Sequence, residues 1–487
     1  MNISACFILI LILIYSGGSL FGKNTRFETN GFSHNEIADS ISTDSAGVYS
    51  LPDSLPKVRI GKILLVGNNV TEADIIMREI SLKENSVLDL KKLEEDVKNL
   101  YKLGLFNKID LIPVPTDTLN KIDMMIIVEE KFFILPIPQG GFRNGQLSKF
   151  WAGMNLMWYN FRGRNETLNL NFGVFYEPFV SLSYSVPWIG KYSHYFTSVS
   201  VGYSKNYNRS LRAINDTTSN QIPDNDKNYL NKNFDASFKF GKYFSKDLSV
   251  STTFKYNIIK TSPYEPGRTL SPDGTDDYLS LLLSSRLDTR DSYEYTLDGS
   301  FYRLEYEKIG FGQNINFNKV RMEAKNFIPV EMKKGSYITF SNKTFAALSF
   351  GGSVPVYMRE FFGYNDIIRG YRNTVLEGEN KLGIFSEVRI PVIDPVFLKG
   401  SSLPIVKSIS ALKNLNYKFG LYATVFYDLG SVWYQKDNFF KTQFRSGYGV
   451  GLNMILPFGF VGRTDFCLRQ QDNYLYPSVV FDLEASF

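Results

Sequence analysis

The chain has 487 residues and a formal net charge of +5, with 54 basic and 49 acidic side chains. This length predicts more than one folded unit, and the nearly balanced charge gives no indication of nucleic-acid binding. Aromatic residues are abundant, with 40 Phe and 30 Tyr, and aromatic girdles of membrane barrels are one source of such an excess.

Cysteine and histidine are too scarce and too scattered to build a reactive centre. Cys6 lies in a segment that we expect to be removed, so Cys467 remains as a single thiol and an intrachain disulfide is excluded. His34 and His194 lie far apart in unlike contexts. We therefore expect no catalytic residue, metal or cofactor, and the chain is not predicted to be an enzyme.

The N-terminal segment resembles a targeting signal followed by a polar leader. An unbroken aliphatic run, Ile8–Ile14, is too short to span a bilayer, and small residues follow it. Residues 1–22 are therefore interpreted as a signal peptide, although no Lys or Arg precedes the run. Residues 23–56 are rich in Ser, Asn, Thr and Asp without periodicity, which is typical of a disordered leader.

Residues 57–131 are predicted to form a small α/β domain of order β-α-α-β-β. Thr71 opens the first helix with a capping-box spacing to Asp74, and this helix is expected to run to about Ile80. Asp89 is expected to cap the second helix, and Gly104 to follow its end. The strands are expected at 58–66, 106–114 and 121–128.

In residues 134–487 the sequence pattern changes, and apolar and polar residues alternate with a period of two. Leu168, Leu170 and Phe172 alternate with asparagines, and many later segments follow the same rule. A secreted β-sandwich would also alternate. The strand count, the aromatic content and a last strand that runs to the terminal residue favour a transmembrane barrel of roughly 16 strands. The residues of that last strand that we expect to face lipid or to form a recognition signal are Val479, Phe481, Leu483 and Phe487.

Several short motifs, in the same order as in a known family, carry a resemblance. Residues 57–131 resemble a POTRA domain, and the later segments resemble the barrel of the BamA/TamA/two-partner-secretion class of outer-membrane assembly and translocation proteins. The segments are Leu100–Phe106, Ile126–Glu130, Asn160–Asn165, Leu287–Asp291, Glu360–Arg372, Phe426–Trp433 and Tyr448–Gly459.

The resemblance implies a site inside the barrel. It implies that a loop near 355–380 folds back into the lumen and carries the motif Ile368, Arg369, Gly370 and Tyr371. It also implies that Arg369 pairs with inward-facing Glu387 and Asp428, a geometry that suits a planar guanidinium better than a lysine. A seam is expected between a first strand near 151–159 and the last strand near 479–487.

The resemblance also implies a function without catalysis. The leading hypothesis is an outer-membrane assembly factor that receives client segments by β-augmentation on the POTRA domain and templates them at the seam. The alternatives are a pore that exports one partner protein, and a specialised or porin-like barrel with no assembly role. The expected partners are unfolded outer-membrane or secreted proteins, the lipid bilayer, and periplasmic chaperones or accessory lipoproteins. The expected location is the outer membrane of a diderm bacterium, with the POTRA domain in the periplasm.

Overall fold

The computed structural model describes residues 58–117, 120–142, 147–190, 193–207, 209–210, 230–262, 268–292, 295–312, 314–333, 335–371, 374–402, 416–456, 461–471 and 474–483. In these ranges, no helix is both long enough and apolar enough to cross a membrane. The described chain divides into two compact units, a smaller one of residues 58–132 with 162–165 and a larger one of residues 133–161 and 166–483.

The smaller unit has the predicted order of elements. These are β1 (Arg59–Val66), α1 (Ala73–Met77), α2 (Leu90–Lys102), β2 (Phe106–Pro115) and β3 (Lys121–Glu130). The central strand β3 pairs in parallel with β1 and antiparallel with β2. Ile60, Leu100, Met124 and Ile126 are buried between sheet and helices, and this apolar contact stabilises the unit.

The two helices show where local sequence signals were sufficient and where they were not. Asp89 caps α2, since its carboxylate accepts the backbone N–H groups of Lys91 and Lys92. The prediction for α1 was wrong: Thr71 is not its N-cap, and the helix ends at Met77 rather than near Ile80. Tertiary contacts explain both ends. Glu130 accepts the N–H of Thr71, and Asp96 accepts the N–H groups of Ser81 and Leu82.

The larger unit is a 16-stranded antiparallel sheet in which the order in space follows the order in sequence. This confirms the predicted mainly β, 16-stranded barrel fold. The sheet strands are β4 (Ile134–Phe142), β5 (Phe150–Phe161), β6 (Glu166–Phe175), β7 (Phe179–Ile189), β8 (Tyr195–Tyr207), β9 (Leu230–Tyr243), β10 (Leu248–Ser262), β11 (Thr275–Asp288), β12 (Gly299–Ile309), β13 (Phe317–Lys333), β14 (Ser336–Phe350), β17 (Asn380–Lys399), β18 (Asn416–Trp433), β19 (Arg445–Ile455), β20 (Val461–Gln471) and β21 (Tyr474–Leu483). Two short strands, β15 (Glu360–Phe362) and β16 (Leu376–Gly378), pair with each other between β14 and β17.

The strands are apolar on one face and polar on the other. In β11, Leu279 and Leu283 are exposed, whereas Asp276 and Ser280 are buried on the opposite face. A barrel in lipid requires apolar side chains outside and tolerates polar ones inside. The period of two in the sequence therefore reflects the two sides of the barrel wall.

The position of the first strand differs from the expectation. The sheet begins with β4, so the segment near 151–159 belongs to the second strand, β5, and the motif Asn160–Asn165 begins in the last two residues of that second strand. The sequence of β4 hides its alternation because Pro136, Pro138 and the pair Gly140–Gly141 interrupt the apolar residues.

Candidate functional site

The segment between β14 and β17 lies against the inward face of the sheet. Its Phe362, Ile368 and Tyr371 form an apolar cluster with Phe345 of β14 and Phe385 of β17. This packing holds the segment on the barrel wall and positions the motif at residues 368–371.

Arg369 donates four hydrogen bonds to the barrel wall. Its Nε and Nη2 donate to the two carboxylate oxygens of Asp428 at 2.7 and 2.6 Å, and its Nη1 donates to Glu387 at 2.8 Å. Its backbone N–H also donates to Asp428, at 3.0 Å. The residue is only 5% exposed, so both acids are bound by a planar fork away from bulk water.

Strand alternation and register bring the two acids together. Glu387 pairs in register with Phe426, and Phe385 pairs with Asp428, so the two carboxylates lie on adjacent strands of the inward face. The ring of Phe426 has its centroid 3.7 Å from the guanidinium carbon of Arg369, which adds a cation–π contact. Burial opposes the charge on Arg369, but Asp428 and Glu387 outweigh that effect and raise its pKa above the ordinary value.

Two glycines make this close approach possible. Gly370 has a φ of +93°, a conformation that residues with a Cβ rarely adopt. A Cβ on Gly447 of β19 would lie 1.7 Å from the carbonyl oxygen of Arg369. The inward face of β19 therefore receives the backbone of the motif directly.

Tyr371 and Arg469 extend the contact to β20, because the guanidinium of Arg469 lies 5.3 Å from the ring centroid of Tyr371. The motif therefore touches side chains or backbone of β17, β18, β19 and β20.

Sequence reasoning missed a second group of residues around Glu387. Arg389 is fully buried and donates from Nε to the second oxygen of Glu387 at 3.0 Å. Its guanidinium lies 4.3 Å from the ring centroid of Tyr295, and Asn453 donates to both Glu387 and the Tyr295 hydroxyl. Arg389 follows Glu387 by two residues, so alternation alone places it on the same face. The contribution of Tyr295, from the β11–β12 connection, had no local signal.

A second set of ion pairs fixes the start of the same segment. Glu360 of β15 is bound by Lys319 of β13 at 2.5 Å and by Lys381 of β17 at 3.1 Å. Lys381 also binds Asp366 at 2.8 Å. Burial would raise the pKa of Glu360, but the two lysines dominate and hold it at about 2. The segment is therefore tied to the wall at two places.

The structure places part of the predicted terminal signal. Val479 and Phe481 are exposed on the outward face of β21. Leu483 lies within β21, while its side chain and all of Phe487 are outside the described residues. Within the described ranges, no group of three or more His, Cys, Asp or Glu side chains is arranged to hold a metal ion.

The chain combines a 16-stranded barrel sheet, which has an arginine-anchored inward segment, with a β-α-α-β-β unit. This combination defines a POTRA-bearing membrane barrel. Residues 160–474 match the model of the Omp85 superfamily domain, and residues 58–131 match the POTRA model described as a surface antigen variable number repeat. The chain belongs to the Omp85 superfamily.

Solved structures agree with this fold. BamA from Haemophilus ducreyi lacking POTRA domains 1–3 is similar with a TM-score of 0.62 and 16% identity, over 88% of this chain and 84% of that one. CdiB from Escherichia coli is similar with a TM-score of 0.57 and 13% identity, over 89% and 77%. The chloroplastic outer envelope protein 80 of Oryza sativa subsp. japonica is 28% identical over 131 residues, which cover 24% of this chain and only 19% of that relative.

Proposed function

We propose that this protein is an assembly factor of a diderm outer membrane, with its POTRA domain in the periplasm. In this role it receives unfolded outer-membrane proteins and templates their strands at the edge of its own barrel sheet. Periplasmic chaperones or accessory lipoproteins would deliver those clients. No step in this function breaks or forms a covalent bond.

The anchoring of Arg369 is the observation that carries the proposal. The two carboxylates that bind it lie on β17 and β18, and the same motif contacts β19 and β20. These four strands lead directly to the terminal strand β21. An inward segment fixed there stiffens the wall next to the sheet's free edge, and this supports a function at that edge rather than free passage through the lumen.

The small domain supports the reception of extended clients. Its three-stranded sheet has β1 and β2 as edges, and residues 85–88 already pair with the start of β1. An extended peptide can add to the rest of a sheet edge by backbone hydrogen bonds without reading a sequence. Such binding suits a range of unfolded proteins.

The alternative is a pore that exports a specific partner protein. The match of a single POTRA segment, residues 58–131, favours this alternative, because one small domain offers few docking sites for accessory subunits. A specialised barrel without an assembly role is a third possibility.

Depletion followed by quantitative proteomics of the outer membrane separates these functions. Assembly predicts a broad fall in many barrel proteins, whereas export predicts the loss of one secreted protein with the other barrels unchanged. The strain should be complemented with the wild-type chain and with Arg369→Ala and Arg369→Lys variants. Depletion that leaves both the outer-membrane proteome and the secreted proteins unchanged would contradict both assembly and export.

A further inference from the structure

A polar cavity lies inside the barrel between the inward segment and the wall strands β8 and β9. Its volume is about 360 Å³, which is within the size range of small-molecule sites in proteins. The inward segment lines it with residues between 356 and 366, and the wall lines it with residues of 206–209, 231–233, Ile259 and Lys381. Arg369 and its carboxylate partners are not part of this lining, so the cavity is separate from the site described above.

The wall presents asparagine side chains to the cavity. Asn206 of β8 pairs in register with Asn231 of β9, and Asn233 pairs with Ser204. Side chains of a strand alternate between its two faces, and Phe234 is exposed on the outward face. The asparagines of β9 on either side of that register therefore point inward.

These asparagines keep unused hydrogen-bonding capacity. The carbonyl of Asn231 accepts from Thr261 at 3.1 Å, and the amide of Asn206 donates to Ser204 at 3.2 Å. In the part of the chain that the structure describes, no donor meets the buried Oδ1 of Asn233. An asparagine amide can donate and accept at once, so the lining suits a ligand whose groups also do both.

The charged side chains of the lining are already paired. Each cation has a carboxylate partner: Arg209 with Glu177, Arg359 with Glu377, and Lys381 with both Glu360 and Asp366. An anionic ligand would have to displace one of these carboxylates, and a cationic ligand would have to displace a lysine or an arginine. The lining therefore favours an uncharged ligand.

Aromatic rings supply the other contact surface. Tyr207 of β8 and Phe361 and Tyr364 of the inward segment all line the cavity. Tyr207 is stacked on Tyr176 with ring centroids 4.9 Å apart, and the Tyr364 hydroxyl donates to the carbonyl of Arg209 at 3.0 Å. The rings are thus held in place, and the negative face of an aromatic ring attracts the weakly positive C–H groups of a ligand.

We propose that this cavity binds a neutral sugar residue of a glycan. A pyranose carries hydroxyl groups around its rim, each of which donates and accepts, and C–H groups on its two faces. These features match the asparagine amides and the aromatic rings of the lining. An extended peptide fits less well, because β8 and β9 are paired with each other here and offer no free backbone edge.

The cavity lies at the end of the barrel where β8 ends at Tyr207 and β9 begins at Leu230. In the antiparallel sheet this end is opposite to the start of β4. With the POTRA domain in the periplasm, as proposed above, it is the end towards the cell surface, where glycans are present. This orientation rests on the proposed function, whereas the binding chemistry does not.

Glycan binding by the purified full-length chain in phospholipid nanodiscs tests the site. The probes are soluble neutral and acidic bacterial oligosaccharides, presented as an array and then measured singly. We expect at least one neutral oligosaccharide to bind with a Kd of about 1 mM or lower. Salt should leave that Kd unchanged, because no charge is paired on binding. Binding of acidic oligosaccharides alone, or of none, would overturn the proposal.

Paired variants locate the binding. Asn206→Ala/Asn233→Ala removes two amides of the lining and should raise the Kd about tenfold. Asn169→Ala/Asn171→Ala changes the same residue type on the inward face of β6, outside the lining, and should leave the Kd unchanged. Heat-modifiable migration shows that each variant is folded. An unchanged Kd in the first variant, or an equal loss in both, would refute the site.

A second arm identifies the source of the sugar. Lipopolysaccharide embedded in the same nanodiscs should compete with the soluble oligosaccharide if the natural ligand is a membrane glycolipid. Binding without such competition supports a soluble glycan. Neither arm uses client assembly, so a failed proteomics experiment would remove the assembly function and leave these results standing.

Discussion

Removal of the Arg369 side chain should release the inward segment from the barrel wall. The guanidinium makes three charged hydrogen bonds to Asp428 and Glu387 in a buried setting. Removing one partner of a buried ion pair costs about 3–5 kcal/mol, because the remaining charge stays buried without compensation. Arg369→Ala should therefore shift the equilibrium between the wall-bound and the released inward segment towards release by roughly two to four orders of magnitude.

Labelling of a buried position by a maleimide measures this release. Ile368 is buried beside the motif, so an Ile368→Cys probe in a Cys467→Ser background should be protected in the parent and labelled rapidly with Arg369→Ala. Arg369→Lys should be intermediate, because an ammonium keeps the charge and loses the bidentate geometry.

Neutralising Glu387 and Asp428 tests whether their unpaired charges cause the release of the segment. The triple variant with Arg369→Ala, Glu387→Gln and Asp428→Asn should regain part of the protection, because its carboxylates no longer require a cation. Unchanged labelling in Arg369→Ala, or full protection in Arg369→Lys, would refute the reasoning.

Three further changes test other parts of the account. Gly447→Ala places a methyl group against the carbonyl of Arg369 and should weaken the binding of the inward segment to the barrel wall by about 1–3 kcal/mol. Faster maleimide labelling of Ile368→Cys would show this. Gly312→Ala, where a Cβ meets open space, is the matched control and should leave the labelling rate unchanged. The pKa of Glu360 is held at about 2, below the ordinary 4.5. The stability that its ion pairs give to the bound segment is therefore complete above the ordinary pKa and is lost as the pH falls through about 2. Proteolysis of the segment across that range should show this acid release, and Glu360→Gln should lose the dependence. Asp89→Ala removes the cap of α2 and should destabilise the POTRA domain by about 1 kcal/mol, measured by hydrogen exchange of that helix against the unchanged barrel.

Most of the fold could be predicted from the sequence because the barrel strands repeat one rule, the alternation of apolar and polar residues. Alternation gave the barrel and its 16 strands, and Asp89 gave the start of α2. The prediction failed where tertiary contacts or proline overrode local pattern. Glu130 accepts the N–H of Thr71, and the helix begins one residue later than predicted, with Glu72 as its N-cap. The prolines of β4 concealed the first strand.

The candidate site was readable only in part. Arg369, Glu387 and Asp428 came from a family resemblance, and alternation explains why both acids face inward. The contacts of Tyr295 with Arg389 and Asn453 join parts of the chain that are distant in sequence, and no local pattern indicates which residues will meet across a barrel. The direct contact of Gly447 with the motif backbone is of the same kind.

The most direct test of the central claim is reconstitution of the purified chain in proteoliposomes with an unfolded small outer-membrane barrel as client. The account predicts that the client folds, by heat-modifiable migration, at least tenfold faster than in liposomes that contain an unrelated porin, and that Arg369→Ala removes most of that gain. Equal client folding with this protein and with the porin would contradict the claim that it assembles barrels.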